Sequence, residues 1–179
     1  MKRVIDSKET FLGLVKELDA RLEHPLEIFV VGGAGLVAHG FIERGTDDVD
    51  VISPQAFPEE ALEAIQAIAK RNGIPLDWIN TRPAHLEKLL AKGWKERAAL
   101  FSKGHFLKVW VLGRRDLLGL KLVAAIERFD DREDLLAIKP SKKELEIARA
   151  WAHKYPANPG WKRIVDEFVK ELEKDLRRD

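Results

Sequence analysis

Asp48 and Asp50 stand on alternate residues of the stretch Asp48-Val49-Asp50-Val51-Ile52. In an extended strand alternate side chains share a face. The two carboxylates therefore point the same way, about 7 Å apart along the chain, while Val49 and Val51 point into a core. Two like charges on one face repel and destabilise unless a cation neutralises them. Hard oxygen ligands suit Mg²⁺, and two such ions roughly 4 Å apart can hold the attacking and leaving oxygens of a phosphoryl transfer. A solvated polar face on an edge strand accounts for the same residues without any ligand, but a glycine pair upstream weighs against that. Gly32-Gly33 follows the strand-like residues 27–31 and precedes a short helical stretch, residues 34–39. A turn without side chains at a helix N-terminus lets backbone N–H groups close on a triphosphate, and the helix dipole favours the charge. A third acid, Asp77, lies in the apolar residues 74–79, which read as a strand. An acid there needs a partner. Beside the Asp48–Asp50 strand it would serve as general base or as a further metal ligand.

The same glycines admit a second chemistry. Gly33-Ala34-Gly35-Leu36-Val37-Ala38 fits the G-x-G-x-x-A pattern of dinucleotide-binding turns. Against it, Gly40 and Gly45 interrupt the helix that should follow. The acids begin the next strand instead of ending it, and the second half of the chain lacks alternating strands and helices.

The elements that must position these residues are legible from capping and periodicity. An Asp6/Glu9 capping box opens a helix near Ser7 that runs on Phe11, Leu12, Val15, Leu18 and Leu22, and His24-Pro25 stops it. Strands are expected over residues 27–31, 48–52 and 74–79, with a helix over 58–71 closed by Asn72-Gly73. Residues 97–112 read as two strands turning at Lys103-Gly104. Helices follow over 116–128 and 131–138. A third is opened by the Ser141/Glu144 capping box and ends before Pro156, and a last one is started by Asn158-Pro159. In that last helix Ile164, Val165, Phe168, Leu172 and Leu176 form the apolar stripe. The expected organisation is a mixed α/β core, residues 1–112, and a C-terminal helical region, residues 113–179, packed on or beside it. The 179 residues suffice for one sizeable core, and a net charge of +1 gives no global attraction for nucleic acid or a membrane surface. The absence of cysteine excludes disulfides, thiolate catalysis and cysteine-bound zinc. No apolar run is long enough to span a bilayer and no leader is evident, so a cytoplasmic location is expected and no membrane partner.

Together, Gly32-Gly33, then Arg44-Gly45-Thr46-Asp47-Asp48-Val49-Asp50-Val51, then Asp77 resemble the signature of the nucleotidyltransferase superfamily that includes DNA polymerase β. That signature is an apolar residue and G-[GS], a gap, [DE]-h-[DE]-h, and a third acid on a later strand. The R-x-T-x-D-h-D form resembles small prokaryotic nucleotidyltransferases of abortive-infection and toxin–antitoxin systems. The resemblance spans roughly residues 27–138. It implies the nucleotidyltransferase fold, an α/β (α+β) arrangement with helices flanking a mixed sheet that carries all three acids. It also implies transfer of a nucleoside monophosphate from an NTP such as ATP, with Mg²⁺ or Mn²⁺, and loss of pyrophosphate. Asp48, Asp50 and Asp77 would then be the metal-binding and catalytic acids, Asp77 activating the acceptor hydroxyl. Gly32 and Gly33 would hold the triphosphate, with Arg44, Thr46 and Lys121 as further nucleotide-binding residues. A snorkelling role fits Lys121 equally well, since its helical neighbours are apolar. Arg44 binds phosphate or orients a carboxylate. Asp131 and Asp134 are expected as caps, His39 as a structural histidine, and Trp78, Trp94 and Trp110 as core or interface residues. The basic stretch around Trp94, residues 92–97, reads as a solvated loop, with contact to an RNA acceptor as the alternative. The acceptor is left open among RNA (tRNA included), a protein and a small molecule such as an aminoglycoside, and a cognate antitoxin or toxin is an implied partner. Two alternatives stay open: a catalytically silent nucleotide- or protein-binding module of the same fold, and a dinucleotide-binding protein.

Overall fold

The computed structural model describes residues 4–128, 131–155 and 158–178. They fall into two compact units, Met1–Gly113 and Arg114–Asp179.

The first unit carries α1 (Lys8–Asp19), β1 (Leu26–Val31), α2 (Gly32–His39), β2 (Val49–Ser53) and α3 (Glu59–Asn72). It continues with β3 (Ile79–Asn80), a 3-10 helix (Arg82–Leu89), α4 (Trp94–Arg97), β4 (Ala99–Lys103) and β5 (Leu107–Val111). The strands form one mixed sheet in the order β3-β2-β1-β5-β4. β1 is antiparallel to β2 and parallel to β5, β2 is parallel to β3, and β4 and β5 make the expected hairpin. Strand alternation separates core from site as β2 requires. Val49 and Val51 are fully buried, and Asp48 and Asp50 alternate with them, partly exposed. Ile28 and Val30 of β1, Phe11, Val15 and Leu18 of α1, and Ile65 and Ile68 of α3 supply core apolar side chains. α1 packs on both α2 and α3.

Several boundaries differ from the sequence expectation. α1 is capped by Ser7, whose side chain accepts from the Thr10 N–H at 3.1 Å, and not by an Asp6/Glu9 box. It ends at Asp19, before His24-Pro25, where the chain tightens into i→i−3 bonds from Arg21 to Leu18 and from Leu22 to Asp19, and the Asp19 carboxylate is recruited elsewhere. That carboxylate accepts the backbone N–H groups of His105, Phe106 and Leu107 at 2.9, 2.8 and 2.7 Å, tying the end of α1 to the β4–β5 turn. Partial burial opposes the Asp19 charge, but the three donors outweigh it and hold the carboxyl below its usual range.

The third strand is the larger departure. Residues 74–78 are not extended. Gly73 closes α3 in the left-handed conformation, the Ile74 N–H returns to the Ala69 carbonyl, and the Trp78 N–H turns back to the Pro75 carbonyl. Trp78 is fully buried and donates Nε1–H to the Ile65 carbonyl at 3.1 Å. Only Ile79 and Asn80 pair with β2. The apolar content of this stretch fills a turn over α3 instead of building a strand.

The second unit holds α5 (Arg114–Arg128), α6 (Arg132–Ile138), α7 (Lys142–Ala152) and α8 (Trp161–Asp175). The Ser141/Glu144 capping box forms as expected, and Glu144 also accepts from Arg114 Nε at 2.6 Å. That guanidinium is the main cause of a Glu144 pKa lowered to about 2. α8 begins after Gly160, not at Pro159; Asn158 caps the preceding turn by accepting the Gly160 N–H at 3.0 Å. Its buried stripe is Trp161, Val165, Val169 and Leu172, whereas Ile164 is exposed and Phe168 and Leu176 are half-buried. The expected stop of α7 at Pro156 lies outside the described residues. Among the described residues no helix is long and apolar enough to cross a membrane.

Candidate active site

β1 delivers its chain to the glycine pair at the point where β2 presents its carboxylates. Val31, the last residue of β1, is the register partner of Asp50. Gly32 then takes φ = 65°, a conformation that side chains disfavour. A Cβ added at Gly32 would lie 2.7 Å from Asp50 Oδ2, and one at Gly33 would lie 2.7 Å from Thr46 Oγ1. Gly33 is thus held by contact with Thr46, whose Cβ would lie 2.9 Å away, and Gly32 by its backbone conformation, with the Asp50 carboxylate close against it. α2 starts at this turn, and no side-chain hydrogen bond caps its N-terminus. Thr46 is fixed by a backbone bridge to Ile5, with N–H···O distances of 2.7 and 3.0 Å. Its packing on Gly33 makes it a positioning group for the turn. Arg44 is exposed in the loop between α2 and β2.

On the other side of β2, the register partner of Asp50 is Asn80, not an acid. Asn80 is buried. Its Oδ1 accepts the Arg82 N–H at 3.0 Å, which turns Nδ2 toward Asp48 Oδ2 at 3.4 Å. Asn80 therefore offers Asp48 a donor and not a ligand oxygen. Asp77 sits in the turn before β3 with its side chain 70% exposed, and it meets the site through Arg82. The Arg82 guanidinium lies 3.2 Å from Asp48 Oδ2 and 3.1 Å from Asp77 Oδ2, bridging the two acids. Among the described residues no group of three or more His, Asp or Glu side chains converges on one position that could hold a metal ion. The expected three-acid cluster is replaced by a pair, Asp48 and Asp50, with Asp77 held at one remove. Mg²⁺ in phosphoryl-transfer sites commonly takes one or two carboxylates and completes its shell from water and substrate phosphates. The Asp48–Asp50 pair fits that donor set.

Lys121 belongs to the second unit, where it is engaged by neighbours of its own. Its Nζ donates to Asp131 Oδ1 at 2.8 Å and Asp134 Oδ2 at 2.7 Å, with the lysine side chain only 8% exposed. Asp131 does stand at the N-cap of α6, but without a side-chain cap bond; both acids serve this ion triad. His39 donates from Nε2 to the Leu112 carbonyl at 2.8 Å, a structural role as expected. Trp94 is buried in α4 edge-on to Phe29, so residues 92–97 are not the solvated loop expected from their charge.

Sequence reasoning missed Asn80 and Arg82. The signal was present in Asn80-Thr81-Arg82-Pro83, polar residues where an apolar stretch ends, but their relation to Asp48 depends on a pairing register that no local pattern reveals.

A cleft of about 660 Å³ opens beside these residues. Phe57, Leu62 and Leu76 form its apolar side and Gln66, Asn80 and Arg82 its polar side. Leu62 and Leu76 are 45% and 55% exposed.

The topology removes the dinucleotide alternative. That motif needs parallel strands joined through a helix, whereas β2 returns antiparallel to β1 after the short α2.

A family described as nucleotidyltransferase of unknown function (DUF6036) has a model that matches residues 9–147. The chain belongs to this family. The match takes in the glycine turn, Asp48 just before β2, Asp50 within it, Asn80 and Arg82, and the mixed sheet with its flanking and C-terminal helices is a nucleotidyltransferase fold. No curated protein and no solved structure matches the chain.

Proposed function

We propose that this nucleotidyltransferase moves a nucleoside monophosphate from an NTP to a hydroxyl acceptor, with Mg²⁺ or Mn²⁺ held by Asp48 and Asp50. The observation that carries the reading is the close approach of Asp50 to Gly32, where an added Cβ would stand 2.7 Å from Asp50 Oδ2 and force the carboxylate to move. A backbone suited to phosphate and a carboxylate suited to a cation are thereby adjacent. The bound cation would supply charge neutralisation at the transferring phosphate. The N–H groups at the start of α2 would take the triphosphate, with Arg44 at the phosphate rim.

In-line displacement sets the attacking oxygen opposite the leaving pyrophosphate. With the triphosphate on the β1 side of β2, the acceptor approaches from the β3 side. The cleft bounded by Asn80 and Arg82 lies there. Its volume, about 660 Å³, is within the roughly 300–1,000 Å³ of small-molecule sites. This favours a small hydroxylated compound, a single protein side chain or one chain-terminal nucleotide over an extended strand of RNA. Asp77 stands at the cleft rim with its carboxylate 3.1 Å from the Arg82 guanidinium. The R-x-T-x-D-h-D segment supports a setting among toxin–antitoxin or phage-defence proteins, with a cognate toxin or antitoxin as partner.

The test is label transfer. The protein is incubated with Mg²⁺, each α-labelled NTP in turn, and pools of tRNA, cell protein and small hydroxylated metabolites, beside the Asp48→Asn variant. Label entering one pool with the wild type alone supports the reaction and names the acceptor class. Mg²⁺-dependent NTP binding without transfer to any pool would favour the silent-module reading.

A further inference from the structure

Arg82 is the feature of this site that neither the signature nor the proposed chemistry uses. Its guanidinium reaches Asp48 Oδ2 at 3.2 Å and Asp77 Oδ2 at 3.1 Å, while its backbone N–H is fixed by Asn80 Oδ1 at 3.0 Å. The backbone anchor sets where the side chain starts. The side chain itself is 62% exposed, so solvent reaches both of its ion pairs. Arg82 thus places a permanent positive charge on one of the two carboxylates that would hold a divalent cation. A divalent cation binding Asp48 therefore competes with a positive charge already in place on that carboxylate.

We propose that Arg82 is a displaceable counter-ion: it neutralises Asp48 when no divalent cation is bound, yields that carboxylate when one binds, and is retained at the rim by Asp77. Resting on the proposed metal-dependent reading, this assigns Arg82 and Asp77 as positioning residues. Asp77 is 70% exposed with its carboxylate on Arg82, which fits an anchor for the released guanidinium better than a metal ligand. Arginine suits the task because its planar fork can pair with two carboxylates at once and stays charged at any working pH. Once released, the fork remains at the rim of the cleft from which the acceptor would approach.

The exchange costs cation affinity, and that cost is measurable without turnover. Mn²⁺ binding to the full chain is followed by electron paramagnetic resonance in the wild type, Arg82→Gln, and Lys88→Gln, an equal charge change at an exposed site on the same 3-10 helix. Arg82→Gln is expected to bind Mn²⁺ roughly three- to tenfold more tightly, the scale of one charge in contact near a solvated surface, and Lys88→Gln about as the wild type does. Adding Asp77→Asn to Arg82→Gln should leave the gain standing, since Asp77 then has nothing to anchor. In parallel, the Arg82 guanidinium signal in nitrogen-resolved NMR should move on Mg²⁺ titration of the wild type and stay still in Asp48→Asn. Equal Mn²⁺ affinity in Arg82→Gln and wild type overturns the exchange while leaving the metal reading intact. Loss of the gain in the double variant makes Asp77 a ligand and overturns its role as anchor. No Mn²⁺ binding by either Arg82→Gln or wild type overturns both the exchange and the metal-dependent function.

Discussion

Replacing Gly32 with alanine separates two effects that a glycine can carry. The first is backbone strain: at φ = 65° an alanine is disfavoured, by about 1–2 kcal/mol. The second is contact: the new Cβ would stand 2.7 Å from Asp50 Oδ2, closer than real Cβ atoms approach. Because that neighbour is the end of a side chain, the carboxylate would rotate away at small cost to stability and large cost to ligand geometry. Gly73 supplies the control. It has φ = 63° and nothing within 4 Å of an added Cβ, so Gly73→Ala carries the strain without the contact. Both variants are expected to lose about 1–2 kcal/mol, a melting shift of roughly 2–8 °C for a chain of this size. Only Gly32→Ala should weaken Mg²⁺-dependent NTP binding, by tenfold or more, equivalent to about 1.4 kcal/mol. Calorimetric titration and thermal melts of the two variants decide it. If Gly32→Ala binds as tightly as Gly73→Ala, the contact has no part in ligand binding and the glycine turn is only a turn.

Lys121→Met takes the ammonium from Asp134, 1% exposed, while Asp131 keeps Arg128 at 3.2 Å, and is expected to cost about 3 kcal/mol of stability. Chemical denaturation measures it, and a loss below 1 kcal/mol would leave Lys121 available for a nucleotide. The Arg114–Glu144 pair predicts acid sensitivity. A Glu144 pKa lowered from 4.5 to about 2 contributes stability that is fully present above pH 4.5 and lost as pH falls through about 2. Allowing for solvent screening, Arg114→Met should lose about 2 kcal/mol at neutral pH. It should also unfold with a shallower pH dependence over that acid range, read from urea midpoints at successive pH values.

What the sequence made legible follows from how local each signal is. β1, β2 and the β4–β5 hairpin show in short apolar stretches broken by glycine, and Ser141 and Glu144 show α7 because a capping box lies within one turn. The core face of β2 was equally readable, since Val49 and Val51 alternate with the acids. Asp77 was misplaced because residues 74–79 are apolar for another reason: Trp78 buries against α3 from a turn, and periodicity does not distinguish that from a strand. The stripe on α8 slipped because the helix starts at Trp161, whose Nε1–H is bound by the Ala152 carbonyl, and that anchor fixes the rotation of the helix. Asn80 and Arg82 were hidden for a third reason. Their meeting with Asp48 arises from parallel pairing of β2 and β3 across a whole helix, a relation that belongs to the assembled sheet.

The most direct test of the central claim is calorimetric titration of an NTP, with and without Mg²⁺, into the wild type and into Asp48→Asn/Asp50→Asn. The account predicts saturable binding by the wild type that requires Mg²⁺, and loss of the Mg²⁺-dependent component in the double variant, with both proteins melting cooperatively. Equal NTP binding by the two proteins in Mg²⁺ would contradict it, because the carboxylate pair at the start of β2 would then have no part in holding the nucleotide.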